Sequence, residues 1–515
     1  AWTNTDDLSS LTEEIDASTT RTFSLEYDNN RNRIRITKPE GNKEKWEFDE
    51  RDLVVRHIRG EGAANASDTE YEYDVNGNRV VIENGRGYDT TISYDLFDRQ
   101  TRITNALGHY TEYTLDKNGN IVKVQRKDSS DTELQRENRC FDERNRLWKT
   151  SGLFETPSQT YSDAVTTIKR LKTGQVETIT NPRSKVTTRD YDAAGRLIRG
   201  TDPLDNEWEW TLDDAGNPTA WSIEETDGVN TVTHEYEATY DDINRRLTRD
   251  EIDRTNSSNV YTTQYAYDSL SNLVFLINAE GNPTRWTFDG LSRMIKRERA
   301  LTLGATINDF TTAQVTEWGF DDNSRLNSHK DDSPNESTWA YDALDRVVSL
   351  TYPDSTSAAY VYDDAHNITQ VTDPAGNVIA DTFDSLDRNT ARSITLATGF
   401  LGTTSETRMY DGLSRMTSND DNDYDLDFEY TVIGLESYLD EETQSYVGQT
   451  AYPKSVNYGW DANGNLIQET YPTGCNLTVD RTYNDADLLT QIDDGTNTIA
   501  SYTWIGARKQ GTTYG

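Results

Sequence analysis

Apolar and polar residues alternate over short stretches along almost the whole chain. Stretches such as Trp286-Thr287-Phe288 and Tyr360-Val361-Tyr362 place rings at every second position. A period of two puts those rings on one face of a β-strand, and the Gly, Pro, Asn and Asp residues between the stretches favour turns. The pattern therefore predicts antiparallel strands joined in consecutive hairpins.

A seven-residue phrase repeats along these predicted hairpins. Its clearest copy, residues 191–197, reads Tyr-Asp-Ala-Ala-Gly-Arg-Leu: an aromatic residue, Asp, two variable residues, Gly or a polar residue, Arg or Asn, and an apolar residue. Many successive copies begin 21 residues apart, and longer spacings indicate loop insertions. The pairs of aromatic residue and Asp include Tyr27-Asp28, Tyr73-Asp74, Tyr94-Asp95, Tyr191-Asp192, Tyr267-Asp268, Phe288-Asp289, Tyr341-Asp342, Tyr362-Asp363 and Tyr410-Asp411.

A second turn signal stands about ten residues before the aromatic position of a unit. One example is Asp373-Pro374-Ala375-Gly376-Asn377, which precedes Phe383. Each unit therefore contains two turns and two strands. We expect an array of about 21 units over residues 27–515, truncated at its C-terminus, after a lead-in segment of residues 1–26. Weaker or insertion-containing units are expected around residues 147–190, 391–409 and 430–459.

Each residue type in the phrase is expected to have a structural role in the hairpin. We expect the Asp, as at Asp192, to accept a hydrogen bond from the backbone two residues on, and the later Gly or Asn, as at Gly195, to adopt a positive φ. Arg or Asn, as at Arg196, then enters the next strand and can pair with a neighbouring Asp. Aromatic rings of successive units are expected to stack into ladders. These roles favour a structural function for the phrase over a catalytic one.

The number of strands limits the architecture. About 21 units of two strands make about 42 strands, which at a spacing of about 4.8 Å form a sheet roughly 200 Å wide. Open twisted sheets of that width do not stay flat. We therefore predict an all-β protein in which tandem hairpin repeats form a spiralling sheet, as a shell or tube, with contacts mainly between neighbouring units.

The composition agrees with a thin wall. Hydrophobic residues make up only 33% of the chain, yet 29 Tyr, 12 Phe and 11 Trp are present, whereas disordered acidic chains are poor in aromatic residues. The net charge of −39 disfavours nucleic acid as a partner, since phosphate is repelled. No run of about 18 apolar residues predicts a membrane span.

The phrase and its turns resemble the Rhs or YD-repeat proteins over nearly the whole chain. The family pattern YDxxGRL is matched by residues 191–197, and its DPxGN turn by residues 373–377. The resemblance implies a hollow β-sheet shell, which in bacterial toxin complexes and Rhs toxins encloses a cytotoxic C-terminal segment and in teneurins serves adhesion. The chain departs from the toxin-bearing members, because nothing after Trp460 resembles their DPxGLxGG segment and no toxin domain follows.

Motifs that carry chemistry are not found, so we predict no enzyme and no catalytic, cofactor-binding or metal-binding residues. The two cysteines, Cys140 and Cys475, lack zinc or disulfide spacing, and the five histidines lack metal-ligand spacing. The acidic run at residues 419–427 alternates Asp like a calcium loop but has Leu426 where such a loop needs Gly. Weak calcium binding and a solvated acidic loop both remain open for this run.

Two main functional hypotheses follow from the repeat array. In the first, the chain is the shell segment of a secreted or surface-delivered bacterial protein, whose partner is a toxin, another enclosed polypeptide, or other segments of the same longer chain. In the second, it serves adhesion or glycan recognition at the cell surface through exposed rings in the insertions. A third, structural hypothesis is assembly into a tube or filament through unpaired end strands.

Overall fold

The computed structural model is built of β-strands. It describes residues 7–16, 18–152, 154–156, 159–160, 164–226, 229–253, 259–300, 310, 313–333, 335–447, 453–475 and 477–515. Residues 1–6 and 17 of the expected lead-in, and residues 153, 157–158, 161–163 and 448–452 of the expected insertions, lie outside this part. The described residues form 45 strands and no helix, and hence no helix that is long and apolar enough to cross a membrane. The predicted all-β class is confirmed.

The chain divides into two compact units. Unit 1 consists of Ala1–Gly108 and Thr263–Thr407, and unit 2 of His109–Thr262 and Arg408–Gly515. In each unit we call the first stretch the early run and the second stretch the late run.

The strands of unit 1 are β1 Ser10–Glu14, β2 Thr20–Tyr27, β3 Arg33–Thr37, β4 Lys43–Phe48, β5 Val54–Arg59, β6 Ser67–Tyr73, β7 Arg79–Glu83, β8 Asp89–Tyr94, β9 Gln100–Thr104, β25 Leu273–Ile277, β26 Pro283–Phe288, β27 Met294–Ala300, β28 Ala313–Phe320, β29 Leu326–Lys330, β30 Glu336–Tyr341, β31 Val347–Thr351, β32 Ser357–Tyr362, β33 Ile368–Thr372, β34 Val378–Phe383 and β35 Asn389–Thr395.

The strands of unit 2 are β10 Tyr110–Leu115, β11 Ile121–Lys127, β12 Glu133–Phe141, β13 Leu147–Gly152, β14 Phe154–Thr156, β15 Gln159–Thr160, β16 Ala164–Arg170, β17 Val176–Thr180, β18 Val186–Tyr191, β19 Leu197–Thr201, β20 Glu207–Leu212, β21 Pro218–Thr226, β22 Thr231–Tyr240, β23 Arg246–Asp253, β37 Met416–Asp421, β38 Tyr424–Ile433, β39 Glu436–Tyr446, β40 Lys454–Trp460, β41 Leu466–Thr470, β42 Thr478–Tyr483, β43 Leu489–Asp493, β44 Thr498–Ile505 and β45 Arg508–Tyr514. The chain crosses the division within β24 Asn259–Tyr267 and β36 Ser405–Tyr410.

Neighbouring strands pair antiparallel, as the alternation predicts, and the hairpins share one irregularity. In β30 and β31, Ala340 lies opposite Ser349, but Tyr341 lies opposite Val347, so the register shifts at the aromatic position. The same shift occurs between Asp190 and Tyr191 in β18. Such a bulge adds one residue to one strand and increases its twist. Every phrase that carries this bulge therefore bends the sheet at its turn.

The register gives the sheet two chemically different faces. Trp339 and Leu350 face each other across β30 and β31 on the same face as Tyr341, and the rings there are half-buried. Ala340 and Ser349 form the opposite face, where Ala340 is exposed. In this hairpin one face is therefore aromatic and the other carries small and hydroxyl side chains.

The hydrophobic core is thin. Among the described residues only twelve aliphatic and aromatic side chains, with Pro283 in addition, are buried, examples being Val124, Ala358 and Ala500. A single-layered sheet has no second layer to cover its faces, so most of its apolar side chains stay half-exposed. This arrangement explains why a chain with only 33% hydrophobic residues folds.

Within each unit the early and late runs touch through residues about 300 positions apart. In unit 1 the Nζ of Lys38 lies 2.7 Å from an Oδ2 of Asp345, and in unit 2 β14 pairs with β38 through Phe154 and Ile433. The chain therefore returns along itself inside each unit, as the predicted spiral requires.

Candidate functional site

The repeated turn of the phrase is the most frequent polar arrangement in the described residues; we call it the YD turn. In the copy at residues 191–197, Oδ1 of Asp192 accepts hydrogen bonds from the amides of Ala194 and Arg196, both at 2.9 Å. The Asp192 amide donates to the carbonyl oxygen of Arg196 at 2.9 Å. The Nε of Arg196 then donates to Oδ2 of Asp192 at 2.7 Å. The carboxylate is thus fully used in closing its own turn.

These hydrogen bonds act on the acidity of the carboxyl group. The pKa of Asp192 lies below its usual value, first because of the Arg196 amide and then because of the Arg196 guanidinium. At Asp142 the side chain and amide of Arg146 lower the pKa to about 2. Groups held as anions in this way are poor general acids.

All nine Asp residues singled out in the sequence occupy this position. Each accepts from the amides two and four residues later: Asp28, Asp74, Asp95, Asp192, Asp268, Asp289, Asp342, Asp363 and Asp411. Each sits in a separate turn, so the structure does not gather them into one site.

The third residue after the Asp adopts a positive φ, as at Gly195 with φ 81°. We expected Gly or Asn there, but Asp98, Ser292 and His366 also take this conformation. A hydrogen bond offsets part of its cost: Nδ2 of Asn78 donates to Oδ1 of Asp98 at 2.6 Å, across to the next unit. The position is therefore used to link neighbouring turns as well as to close them.

The aromatic residue of the phrase is fixed by its hydroxyl and by an arginine. The Tyr341 hydroxyl donates to the carbonyl oxygen of Leu326 at 2.6 Å, and the guanidinium carbon of Arg325 lies 4.5 Å from the ring centroid. Tyr362 has the same relation to the Val347 carbonyl, at 2.7 Å, and to Arg346, at 4.5 Å.

This contact differs from the expected ladder of rings on rings. Equivalent strands of successive units are two strands apart, about 9.6 Å, which is too far for ring contact. In these two copies the arginine of the preceding YD turn fills that gap. Elsewhere rings of neighbouring strands do stack directly, as Trp221 and Tyr236 do with their centroids 5.0 Å apart.

The junction between early and late runs is a second polar arrangement, which the repeat pattern does not predict. Arg86, in the second turn of its unit, reaches the YD turn that follows Phe383. Its side chain is only 18% exposed. Gly85 beside it has no room for a side chain, because a Cβ would lie 2.3 Å from the Asp364 carbonyl oxygen. The signal available in the sequence was a cation inside a second turn, at Asn84-Gly85-Arg86-Gly87.

The acidic run at residues 419–427 is not a loop. It forms the hairpin of β37 and β38, in which Asp420 lies opposite Asp425 and the Oδ1 of Asp421 accepts from the amide of Tyr424 at 2.8 Å. Burial and the nearby charges of Asp425 and Asp427 raise the pKa of Asp420. The described residues contain no group of three or more His, Cys, Asp or Glu side chains that could hold a metal ion.

In unit 2 a cavity of about 180 Å³ is lined by Glu209, Glu235 and Glu237 together with Thr211 and Trp221. Its lining residues include neither His nor Cys. The arrangement that dominates the molecule is therefore the YD turn and its links, which hold strands in place.

Fold and turns together define a class, the tandem β-hairpin repeat proteins. Residues 191–228 and 341–378 match the family model described as RHS Repeat, which confirms the predicted resemblance to the YD-repeat proteins. No curated protein sequence matches the chain significantly.

Solved structures show the same fold. The crystal structure of TcdB2-TccC3-TEV matches with a TM-score of 0.70 and 12% identity over 95% of this chain. That of TcdB2-TccC3 without its hypervariable C-terminal region matches with a TM-score of 0.68 and 13% identity, again over 95% of this chain. The chain spans about 30% of the length of each of those chains.

Proposed function

We propose that the chain is the wall segment of a bacterial Rhs-type shell that encloses a polypeptide cargo. The observation that carries the proposal is the uniform architecture: 45 strands of hairpin repeats, folded like part of TcdB2-TccC3 over 95% of the chain. A continuous array of one repeat type suits a wall, since each unit contacts mainly its neighbours and the array can be extended without a central core. The partner is the cargo or another segment of a longer chain.

The role proposed for the YD residues is structural, and the wall is not an enzyme. The carboxylates of Asp192 and Asp342 are occupied by amides and a guanidinium of their own turns. A catalytic acid or base needs a free proton-transfer path to a substrate. We also propose that the array begins at Tyr27 and that the protein works outside the cytoplasm, secreted or at the surface of a bacterium, where its net charge of −39 suits a salty medium.

Protease protection tests the encapsulation. The protein encoded by the complete reading frame is digested with a nonspecific protease, and the fragments outside residues 1–515 are followed by mass spectrometry. We expect a fragment that resists digestion in the native protein and is degraded once urea has unfolded the wall. A flanking segment that is digested equally fast before and after unfolding of the wall, or a stop codon directly after Gly515, would refute the proposal.

One observation favours adhesion as a second candidate. At the open end of the hairpin of β38 and β39, Tyr424 and Tyr446 hold their ring centroids 5.1 Å apart, and Tyr446 is 56% exposed. Exposed rings can stack on the apolar faces of sugars. Binding on a glycan array that is lost in Tyr446→Ala would support adhesion, whereas an array without signal would remove the glycan hypothesis.

A further inference from the structure

Arg86 occupies a receptor made by one YD turn and the turn before it. Its guanidinium donates to the carbonyl oxygens of Phe383 at 2.9 Å and Asp384 at 2.7 Å. It also donates to Oδ1 of Asp387 at 2.9 Å, and its Nε lies 3.5 Å from Oδ2 of Asp363 in the preceding turn. Two carbonyls and two carboxylates thus converge on one planar cation.

Arg183 occupies the same kind of receptor in unit 2. It donates to the carbonyl oxygens of Tyr483 at 3.4 Å and Asn484 at 3.1 Å and also to the carboxylate of Asp487. Its Nε lies 3.5 Å from Oδ2 of Asp461. The two cases, in separate units, show that this geometry is a binding site for arginine and not a local accident.

The early run of unit 1 contains the same receptor around Asp98. Asp98 has a φ of 57°, close to the 60° of Asp387 and the 61° of Asp487. Its Oδ1 accepts from Nδ2 of Asn76 at 2.9 Å and of Asn78 at 2.6 Å. Asn463 and Asn465 bind Asp487 in the same way. The receptor is therefore preassembled.

No cation occupies this receptor within the part of the chain that the structure describes. Leu96 and Phe97, the variable residues of its YD turn, are 99% and 77% exposed. The equivalent residues in the turn that binds Arg86, Ser385 and Leu386, are half-buried. The Asp98 turn therefore lies at an open edge of unit 1, with two apolar side chains in water.

A second copy of the arrangement lies on the same edge. Asp52 has a φ of 62°, and its Oδ1 accepts from Nδ2 of Asn30 at 2.8 Å and of Asn32 at 2.7 Å. The open edge thus carries two receptors with one geometry.

We propose that this edge of unit 1 binds a polypeptide that presents arginine in a tight turn, with the guanidinium at Asp98 and the turn covering Leu96 and Phe97. The partner turn resembles Asn84–Tyr88, which presents Arg86 between two glycines. A second copy of this chain is not the partner, because the second turns of the late run that would face the edge lack Arg and Lys, as at residues 278–282, 352–356 and 373–377. The partner is a further YD-type run of different sequence.

A peptide probe tests the site in the full chain. The cyclised peptide Asn-Gly-Arg-Gly-Tyr is titrated against protein carrying ¹³C-labelled leucine methyl groups, and the Leu96 resonance is identified by its loss in Leu96→Met. We expect a saturable shift of the Leu96 resonance that is at least tenfold weaker with citrulline in place of arginine. Asp98→Asn should abolish the shift, because Asn accepts the amide hydrogen bonds and tolerates positive φ but lacks the charge.

Asp332→Asn is the matched control, since it removes one exposed turn carboxylate elsewhere in unit 1 and should leave the shift intact. Equal binding of the citrulline peptide, or a shift that survives Asp98→Asn, would overturn the proposal. This outcome is independent of the wall function, because protection of a cargo is read by proteolysis and does not require the open edge to be filled.

Discussion

Arg86→Ala tests the physical account of the junction between runs. The guanidinium makes three hydrogen bonds of 2.7 to 2.9 Å, one of them to a carboxylate, and is 18% exposed. Charge-assisted hydrogen bonds contribute about 1.5 to 3 kcal/mol each when buried, but water can replace part of them here. We therefore expect a loss of about 2 kcal/mol from the contact between the runs, which corresponds to about a 30-fold increase in local opening.

Amide hydrogen exchange measures this opening. The amide of Asp387 donates to the Asp384 carbonyl oxygen, which also accepts from Arg86, so its exchange reports the junction directly. We expect peptides covering residues 383–388 to exchange about 30-fold faster in Arg86→Ala and to an intermediate extent in Arg86→Lys, which keeps the charge but not the fork.

Arg51→Ala is the control for this experiment. Arg51 lies in the same run and bonds to Asp49 and to the carbonyl oxygen of Asp74, but makes no contact with the late run among the described residues. Its removal should leave exchange at residues 383–388 unchanged. An increase of less than twofold in Arg86→Ala, or an equal increase in Arg51→Ala, would refute the reasoning.

Three further predictions concern the YD turn, the aromatic position and the junction between the runs. Asp142 has a pKa of about 2 in the folded protein against 3.8 in the unfolded chain, so the folded state takes up the proton only at a lower pH. The free energy of unfolding should therefore be highest above about pH 4 and fall as the pH drops towards 2. A urea midpoint that stays constant over this range would contradict this prediction. Tyr362→Phe removes the 2.7 Å hydrogen bond to the Val347 carbonyl oxygen but keeps the ring beside its arginine. It should lower the free energy of unfolding in urea by about 1 kcal/mol, which is less than the loss in Tyr362→Leu. Equal losses in the two variants would show that the ring contact contributes nothing. Gly85→Ala places a Cβ 2.3 Å from the Asp364 carbonyl oxygen. This clash should destabilise unit 1 by about 1 to 3 kcal/mol and lower the midpoint of thermal unfolding. An unchanged midpoint would mean that the early and late runs separate easily at this point.

Local structure was predictable because the residues that define each hairpin lie within one unit of about 21 residues. The YD turn at residues 191–197 needs only contacts between residues at most four positions apart, so composition and spacing suffice to predict it. The strands follow from the alternation of apolar and polar residues, since the β-strand is the regular structure in which every second side chain lies on the same face.

The ladder contact was not predictable from the phrase alone. The expectation of rings on rings assumed that successive units touch ring to ring, but the bulge at Tyr341 and the separation of equivalent strands leave a gap that Arg325 fills. Register and bulges depend on the pairing of two strands, which one strand's sequence does not specify. The acidic run was misjudged for a similar reason, because pairing of Asp420 with Asp425 turns an apparent loop into a hairpin.

The amino-acid sequence is sufficient to predict the all-β repeat fold, the YD turns and their positions, because all of these depend on interactions within a hairpin. The contacts between turns about 300 residues apart, such as that of Arg86 with Asp387, are seen only in the folded chain. Such contacts depend on the twist accumulated over more than a dozen strands, and the sequence pattern of a single unit does not predict this total twist. The open edge at Asp98 is likewise seen only in the folded chain. Its turn resembles in sequence the turn that binds Arg86, but the fold places no arginine of the described residues against it.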